Sequence, residues 1–257
     1  MDFTLETYKN LLKALITEGY SFQTFQQFLE KSKQRVVVLR HDVDLKPQNS
    51  LVTAKIENKM GIVGSYYFRI VPESFNVDII KEIANFGHEI GYHYETMDEI
   101  RGKTEDGRQK TEEAYRLFVQ NLETFRQIAD IKTICMHGSP RSRYDNREIW
   151  KKYNYKMLGI IGEPYFDIDF NQVFYLTDTG RRWDGHKVSV RDKVSSNFNV
   201  TFRSTDEIIR RINELPEKVM ITIHPQRWND SFLLWAKELA WQNVKNIVKK
   251  RIISAKR

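Results

Sequence analysis

Apolar positions along this chain switch repeatedly between helical spacing and short continuous runs. Over 3–18, Phe3, Leu5, Tyr8, Leu11, Leu12 and Leu15 fall on one helical face, and Gly19 is a natural stop. Phe22, Phe25, Phe28 and Leu29 predict a second short helix over 22–31. Residues 36–41 then form an unbroken apolar run rich in valine, the pattern of a strand buried on both faces. Further strands are predicted over 62–68, 88–93, 131–137, 156–161, 172–177 and 219–224. Helical patterns lie between them at 47–60, 76–86, 146–153 and 205–214, with a long helix after the polar loop 101–107 and another over 230–252.

Strands that alternate with helices predict a mostly parallel sheet with crossover helices. About seven strands over this length fit a closed or nearly closed β/α barrel. The expected fold class is therefore α/β, a distorted seven-stranded barrel with extra N-terminal and C-terminal helices. No Ser/Pro/Gly linker and no internal repeat divides the chain. Residues 1–257 are read as one domain, with 1–33 as a helical N-terminal extension.

Composition narrows the picture. Forty per cent of the residues are hydrophobic, enough for a sizeable core, and the single cysteine, Cys135, excludes an intrachain disulfide and a cysteine-based zinc cage. The N-terminal residues lack a basic segment followed by an apolar one, and no stretch is long enough to span a bilayer, so a cytoplasmic protein is expected. The formal charge of +7 gathers in part at Lys249, Lys250, Arg251, Lys256 and Arg257. A solvated helix end accounts for that cluster, and a weak attraction to anionic lipid or an anionic substrate is the sharper reading. No recognition motif accompanies the charge, so nucleic acid is not an expected partner.

The chemistry gathers where strands end. Asp42 and Asp44 follow the first strand, His93 and Glu95 the third, His137 the fourth, Asp178 the sixth and His224 the last. In parallel β/α folds these ends form one rim, where active sites sit. Alternation points Arg40, Asp42 and Asp44 one way and His41 and Val43 the other. Two carboxylates on one face of a buried strand need a metal, a cation or a shared proton to offset their repulsion. A helix cap explains one Asp but not both. Asp44 with His93 or His137 is a ligand set suited to zinc or a similar divalent ion. Asp42 would then act as general base and His224 as general acid, help worth roughly 10²- to 10⁴-fold. Cys135 reads as a small apolar filler, and His41, His88 and His186 as structural histidines.

These residues resemble the motifs of the NodB-type polysaccharide deacetylases, and more closely a divergent branch among surface-polysaccharide (O-antigen and capsule) biosynthesis proteins. Arg40-His41-Asp42-Val43-Asp44 stands where the family has Thr-Phe-Asp-Asp-Gly, which implies Asp42 as base and Asp44 as metal ligand. Gly87-His88-Glu89-Ile90-Gly91-Tyr92-His93 matches the strand that carries the first histidine ligand, His93. The second histidine of that motif is replaced by Met97, so Glu95 or His137 would have to supply the missing ligand. The family's third motif provides an Arg that orients the base, and Met136 to Arg141 lies in its place without matching it. Asp178, Arg181, Arg182 and Trp183 are a loose counterpart of an Asp/Trp motif, and Ile223-His224-Pro225 resembles the last motif, whose histidine is the acid.

The resemblance implies hydrolysis of an N-acetyl, or sometimes O-acetyl, group from an amino sugar, with a divalent metal, expected to be zinc. Asp178, Arg181, Arg182, Trp183 and Arg227 are expected to bind the sugar or its phosphates, since Arg suits phosphate and Trp a sugar face. A cytoplasmic location would imply a nucleotide-linked or lipid-linked sugar. The competing class is a non-catalytic barrel that binds sugar and has lost its metal, motivated by Met97. Asp-x-Asp also opens haloacid-dehalogenase-type phosphatases and marks many glycosyltransferases, but neither explains the histidines at the other strand ends.

Overall fold

The computed structural model describes residues 1–100, 107–138, 142, 144–184 and 194–255. Its centre is β2 (Val36–Val43), eight residues that are all buried. Among the described residues, seven strands join one sheet and every pairing in it is parallel. The order runs β5 (Ile134–Met136), β4 (Glu89–Tyr94), β3 (Ser65–Phe68), β2, β7 (Lys218–Ile223), β6 (Phe174–Thr177). A short first strand, β1 (Ser21–Gln23), pairs with β2 at Val36–Val38, and β3 pairs with β2 further along at Arg40–Val43. On the other side β7 accompanies β2 from Val36 to His41. This curled sheet, with helices packed on it, is the expected α/β barrel-like architecture.

The helices are α1 (Leu5–Thr17), α2 (Phe25–Glu30), α3 (Pro47–Lys59), α4 (Val77–Asn85), α5 (Thr96–Glu99), α6 (Gly107–Arg126), α7 (Pro164–Asp167), α8 (Thr205–Arg210) and α9 (Phe232–Ala255). Several begin with a side-chain cap, which satisfies an amide that has no partner inside the helix. Thr4 accepts from Thr7 N ahead of α1, Asn76 from Ile79 N ahead of α4, and Ser204 from Glu207 N ahead of α8. Thr24 and Gln27 make a reciprocal capping box ahead of α2.

The sheet's two faces hold different contents. On the concave face, Val38, Tyr67, Cys135 and Met220 pack with Phe25, Ile168 and Phe170. Gly91 is required there, because a Cβ at that position would overlap the Tyr67 ring. The outer helices bury two larger clusters. One joins α1 and α8 to β2, β6 and β7 through residues such as Tyr8, Leu12, Leu176 and Ile221. The other joins α4 and α6 to β3, β4 and β5 through Ile80, Phe118, Tyr92 and Ile134.

Three expectations about elements need correction. Residues 22–31 are not one helix: Ser21–Gln23 form a strand and the helix starts at Phe25. Residues 156–161 are not a strand, since Tyr155–Leu158 form a 3₁₀ turn with Met157 at 83% exposure, and only the bridge Thr133–Gly162 touches the sheet. The N-terminal segment is no appendage. Tyr8, Leu11, Leu12 and Leu15 are buried in the core, and β1 is part of the sheet. Among the described residues no helix is long and apolar enough to cross a membrane.

Candidate active site

The carboxyl ends of β2, β4, β5 and β7 bring Asp44, His93, His137 and His224 together. One Asp44 oxygen, Oδ1, lies 3.5 Å from His93 Nε2 and 3.1 Å from His137 Nδ1. The two imidazoles are 3.2 Å apart, nitrogen to nitrogen. The other Asp44 oxygen, Oδ2, accepts a hydrogen bond from Gln226 Nε2 at 3.2 Å and lies 3.8 Å from His224 Nε2. Burial alone would raise the Asp44 carboxyl. The neighbouring histidines, His137 first, hold it well below the usual carboxylate range.

Both imidazoles are oriented from behind. His93 Nδ1 faces the Cys135 carbonyl at 2.9 Å, which makes Nδ1 the donor and leaves the Nε2 lone pair turned toward Asp44. His137 Nε2 faces Glu95 Oε2 at 3.7 Å, while its Nδ1 faces Asp44 and His93. Glu95 is itself held by Arg69, whose Nε donates to it at 2.7 Å. Asn146 Nδ2 bonds the His137 carbonyl at 2.9 Å and fixes the loop after β5.

The donor set fits a divalent ion. A carboxylate oxygen and two imidazole nitrogens lie within 4.8 Å of one another, the ligand types that suit zinc and similar metals. Asp44 Oδ1 is buried and makes no hydrogen bond. A buried carboxylate oxygen without a partner is costly unless a cation compensates it. A second group, Asp42, His93 and Cys135, also lies within 4.8 Å. It fits less well, because Arg40 already neutralises Asp42.

That pairing was not assigned from sequence. Arg40 is fully buried and donates through Nε to Asp42 Oδ1 at 3.1 Å and through Nη2 to Asp42 Oδ2 at 3.0 Å. The Tyr165 and Tyr175 hydroxyls lie near the same guanidinium nitrogen. The β2 alternation placed Arg40 and Asp42 on one face, and that was the available signal.

At the opposite end of the cluster, His224 is locked to Asp178. Its Nδ1 is 2.6 Å from Asp178 Oδ1, and its backbone amide donates to Asp178 Oδ2 at 3.0 Å. Arg227 Nη1 and Trp228 Nε1 donate to the same carboxylate at 2.7 and 2.8 Å. Burial pushes the Asp178 carboxyl up, but Arg227 and His224 outweigh it and hold it low. Asp178 therefore stays charged, keeps the His224 proton on Nδ1 and leaves Nε2 facing Asp44.

The structure gives the expected sugar-binding residues other occupations. Asp178 and Arg227 are spent on each other and on His224. Trp183 is buried against Phe3 and Trp228 and donates its indole N–H to Thr205. Arg181 Nη1 donates to the Trp235 carbonyl, and Arg182 is paired with Asp184. Arg182, Trp183 and Arg227 thus each hold a partner within the chain, while Arg181 keeps Nε and Nη2 buried without one.

Met97 is buried with Ala114 and Ile149, a core position far better filled by a thioether than by a ligand. Glu95, the other substitute considered, is held by Arg69. Ser139, Pro140, Arg141, His186, Lys256 and Arg257, and the side chains of Lys249, Lys250 and Arg251, lie outside the described residues, as does most of the loop 101–107.

No protein-family model and no curated protein matches the chain. Solved structures similar to the chain include three at low identity and with TM-scores under 0.5. A family 4 carbohydrate esterase from Bacillus anthracis is 10% identical with a TM-score of 0.39, covering 91% of this chain and 84% of that one. A mutant of a CE4 family pseudoenzyme with restored enzymatic activity is 13% identical with a TM-score of 0.41, covering 84% and 64%. The Xyl-CE4 domain of a multidomain xylanase from the hindgut metagenome of Trinervitermes trinervoides is 13% identical with a TM-score of 0.39, covering 83% and 84%. At such distances the chemistry rests on this chain's own residues.

Proposed function

We propose that this chain is a metal-dependent carbohydrate deacetylase that hydrolyses the N-acetyl, or O-acetyl, group of an amino sugar. The observation that carries the reading is the Asp44, His93 and His137 cluster with the unpartnered Asp44 Oδ1 at its centre. These three residues would hold a divalent ion, and zinc suits a carboxylate with two imidazoles. Such an ion supplies a Lewis acid for the acyl oxygen and makes water nucleophilic at neutral pH.

The chain's own residues do the rest. Asp42 takes the proton from the attacking water, and Arg40 holds its carboxylate in one orientation through the paired bonds. His224 acts as the imidazolium, keeping its Nδ1 proton hydrogen-bonded to Asp178 and delivering its Nε2 proton to the leaving nitrogen or oxygen as the acyl bond breaks. Asp178 positions that imidazole and fixes its tautomer. Base and acid enter from different strands, β2 and β7, on the same rim. The products are acetate and the free amine, or the alcohol for an ester.

The substrate in this reading is a nucleotide-linked or lipid-linked precursor of a surface polysaccharide, handled in the cytoplasm. The family likeness of the motifs supports the acetyl sugar, and the lack of an apolar spanning helix among the described residues agrees with a site reached from water. The loss of the histidine at Met97 does not favour a non-catalytic reading, because His137 stands beside His93 and Asp44.

The test is acetate release from a panel of N-acetylated and O-acetylated sugars, free, nucleotide-linked and polymeric. Asp42→Asn and His224→Gln are expected to lower turnover by roughly 10²-fold or more each. Failure of the wild type on every member, with metal bound, would sink the proposal, as would full activity in Asp42→Asn.

A further inference from the structure

A cavity of about 440 Å³ opens beside the site, between the rim at Asp44 and the helix α9. Its size is that of a small-molecule site. Asp44 and Gln226 line it from the rim, and Lys46, Lys237, Trp241 and Lys245 line it further out. Arg227 and Glu238 are the other charged lining groups.

The charges there do not balance. Arg227 is committed to Asp178, and Asp44 belongs to the metal-site cluster. That leaves Lys46, Lys237 and Lys245 facing Glu238. Among the described residues, none of these lysines has a carboxylate within 4.0 Å. Lys245 instead lies over the Trp241 ring, 5.3 Å from its centroid. Lys46 has a left-handed backbone, φ 55°, an uncommon conformation for a residue with a side chain. It stands at the start of α3 and makes no side-chain cap, so the positive end of that helix lies next to the cavity.

A second observation points to a ligand. Gln226 is 5% exposed, and its Oε1 is buried without a hydrogen-bond partner while its Nε2 is held by Asp44. An acceptor fixed in this way, beside the metal-site carboxylate, calls for an O–H or N–H donor from whatever fills the cavity. A sugar hydroxyl or amide has that donor. A phosphate has none, but suits the lysines.

We propose that this cavity is the anchoring site for a diphosphate carried by the sugar substrate, with Lys46, Lys237 and Lys245 on the diphosphate and Gln226 Oε1 on the sugar. The inference rests on the deacetylase reading and narrows it to substrates with a diphosphate handle, as opposed to neutral polymers. The cavity and the metal-site cluster share Asp44, so a sugar bonded to an anchored diphosphate would lie beside the acid and base.

Binding of inorganic pyrophosphate, uridine diphosphate and farnesyl diphosphate to the full chain, by titration calorimetry, tests this. Lys46→Gln and Lys245→Gln are each expected to weaken binding about tenfold, as lost charge-assisted bonds do. Lys13→Gln, a change at an exposed position on α1, should leave it unaltered. The same binding should survive in His93→Ala, which removes a ligand of the metal but no cavity residue. Tighter binding of uridine diphosphate than of pyrophosphate would make the source a nucleotide, tighter binding of farnesyl diphosphate a lipid carrier, and equal binding of all three recognition of the diphosphate alone. Binding lost in His93→Ala but kept in both lysine variants would overturn the proposal, since the anion would then sit on the metal. Lysine-sensitive binding with no acetate release would leave the anchoring site standing and remove the deacetylase reading. Equal kcat/KM on neutral and diphosphate-linked sugars would do the reverse.

Discussion

Removing Arg40 is the most informative perturbation of the fold beneath the site. Its guanidinium and the Asp42 carboxylate are both buried, 0% and 5% exposed, and face each other at 3.0 Å through paired bonds. At that separation, and at an effective dielectric near 20, the attraction is about 5 kcal/mol. Burying both ions consumes much of this, so the pair adds little net stability. Breaking it from one side is different, because the remaining charge stays buried and unpaired. Arg40→Met is therefore expected to cost about 3–5 kcal/mol, and Asp42→Asn a similar amount. The double variant Arg40→Met/Asp42→Asn should cost less than the sum of the two by about 2 kcal/mol or more, the excess being the coupling between the groups. For a chain of this size each kcal/mol moves Tm by about 2–4 °C, so urea unfolding and thermal melts both resolve the difference. Arg40→Lys should not restore the wild-type value, since an ammonium cannot make the paired bonds. Single changes that each cost under about 1 kcal/mol, or a double variant that is simply additive, would refute the argument that the pair is a coupled buried unit.

Other expectations follow from particular contacts. Trp183→Phe should lose about 1–2 kcal/mol of stability with its bond to Thr205, and leave KM for sugar unchanged, because the ring is enclosed by Phe3 and Trp228; a change in KM without a change in melting would contradict this. Burial pushes the Glu163 carboxyl up to about 7, against opposing bonds from the Met136 and Tyr165 amides. A group whose folded value lies above its unfolded value of about 4.3 stabilises fully below that value, and the contribution, about 4 kcal/mol, is lost as pH rises through 7. Melting of the wild type should fall over that window relative to Glu163→Gln, and parallel curves would reject the assignment.

Much of the fold was legible because the core strands are continuous apolar runs. Val36 to Leu39 could hardly be anything but a buried strand, and all four are buried. Alternation from Leu39 onward separated Arg40 and Asp42 from His41, which indeed turns the other way, to Glu57 at 3.0 Å. The first strand was hidden because it has three residues and its one phenylalanine, Phe22, falls in a helical stripe with Phe25, Phe28 and Leu29 of the helix that follows. The apolar residues near 156–161 misled for the opposite reason. Met157 is apolar but exposed, and periodicity does not report which apolar residues meet a partner.

The candidate site divides in the same manner. Strand ends are readable, so Asp44, His93, His137 and His224 could be named and are found together. What each side chain does with its remaining atoms is a property of three-dimensional neighbours. Asp178 looked like a substrate contact and is the partner of His224. Trp183 and Arg181 were expected to meet a sugar, and they pack against Phe3 and Trp235. The Lys46, Lys237 and Lys245 grouping joins positions nearly two hundred residues apart, which no local pattern signals.

The metal content of the purified chain tests the account most directly. Elemental analysis of the wild type after incubation with zinc should give roughly one ion per chain, and His93→Ala, His137→Ala and Asp44→Ala should each give close to none. Retention of the metal in His137→Ala would contradict the ligand set, and a wild type that takes up no metal would contradict the central claim.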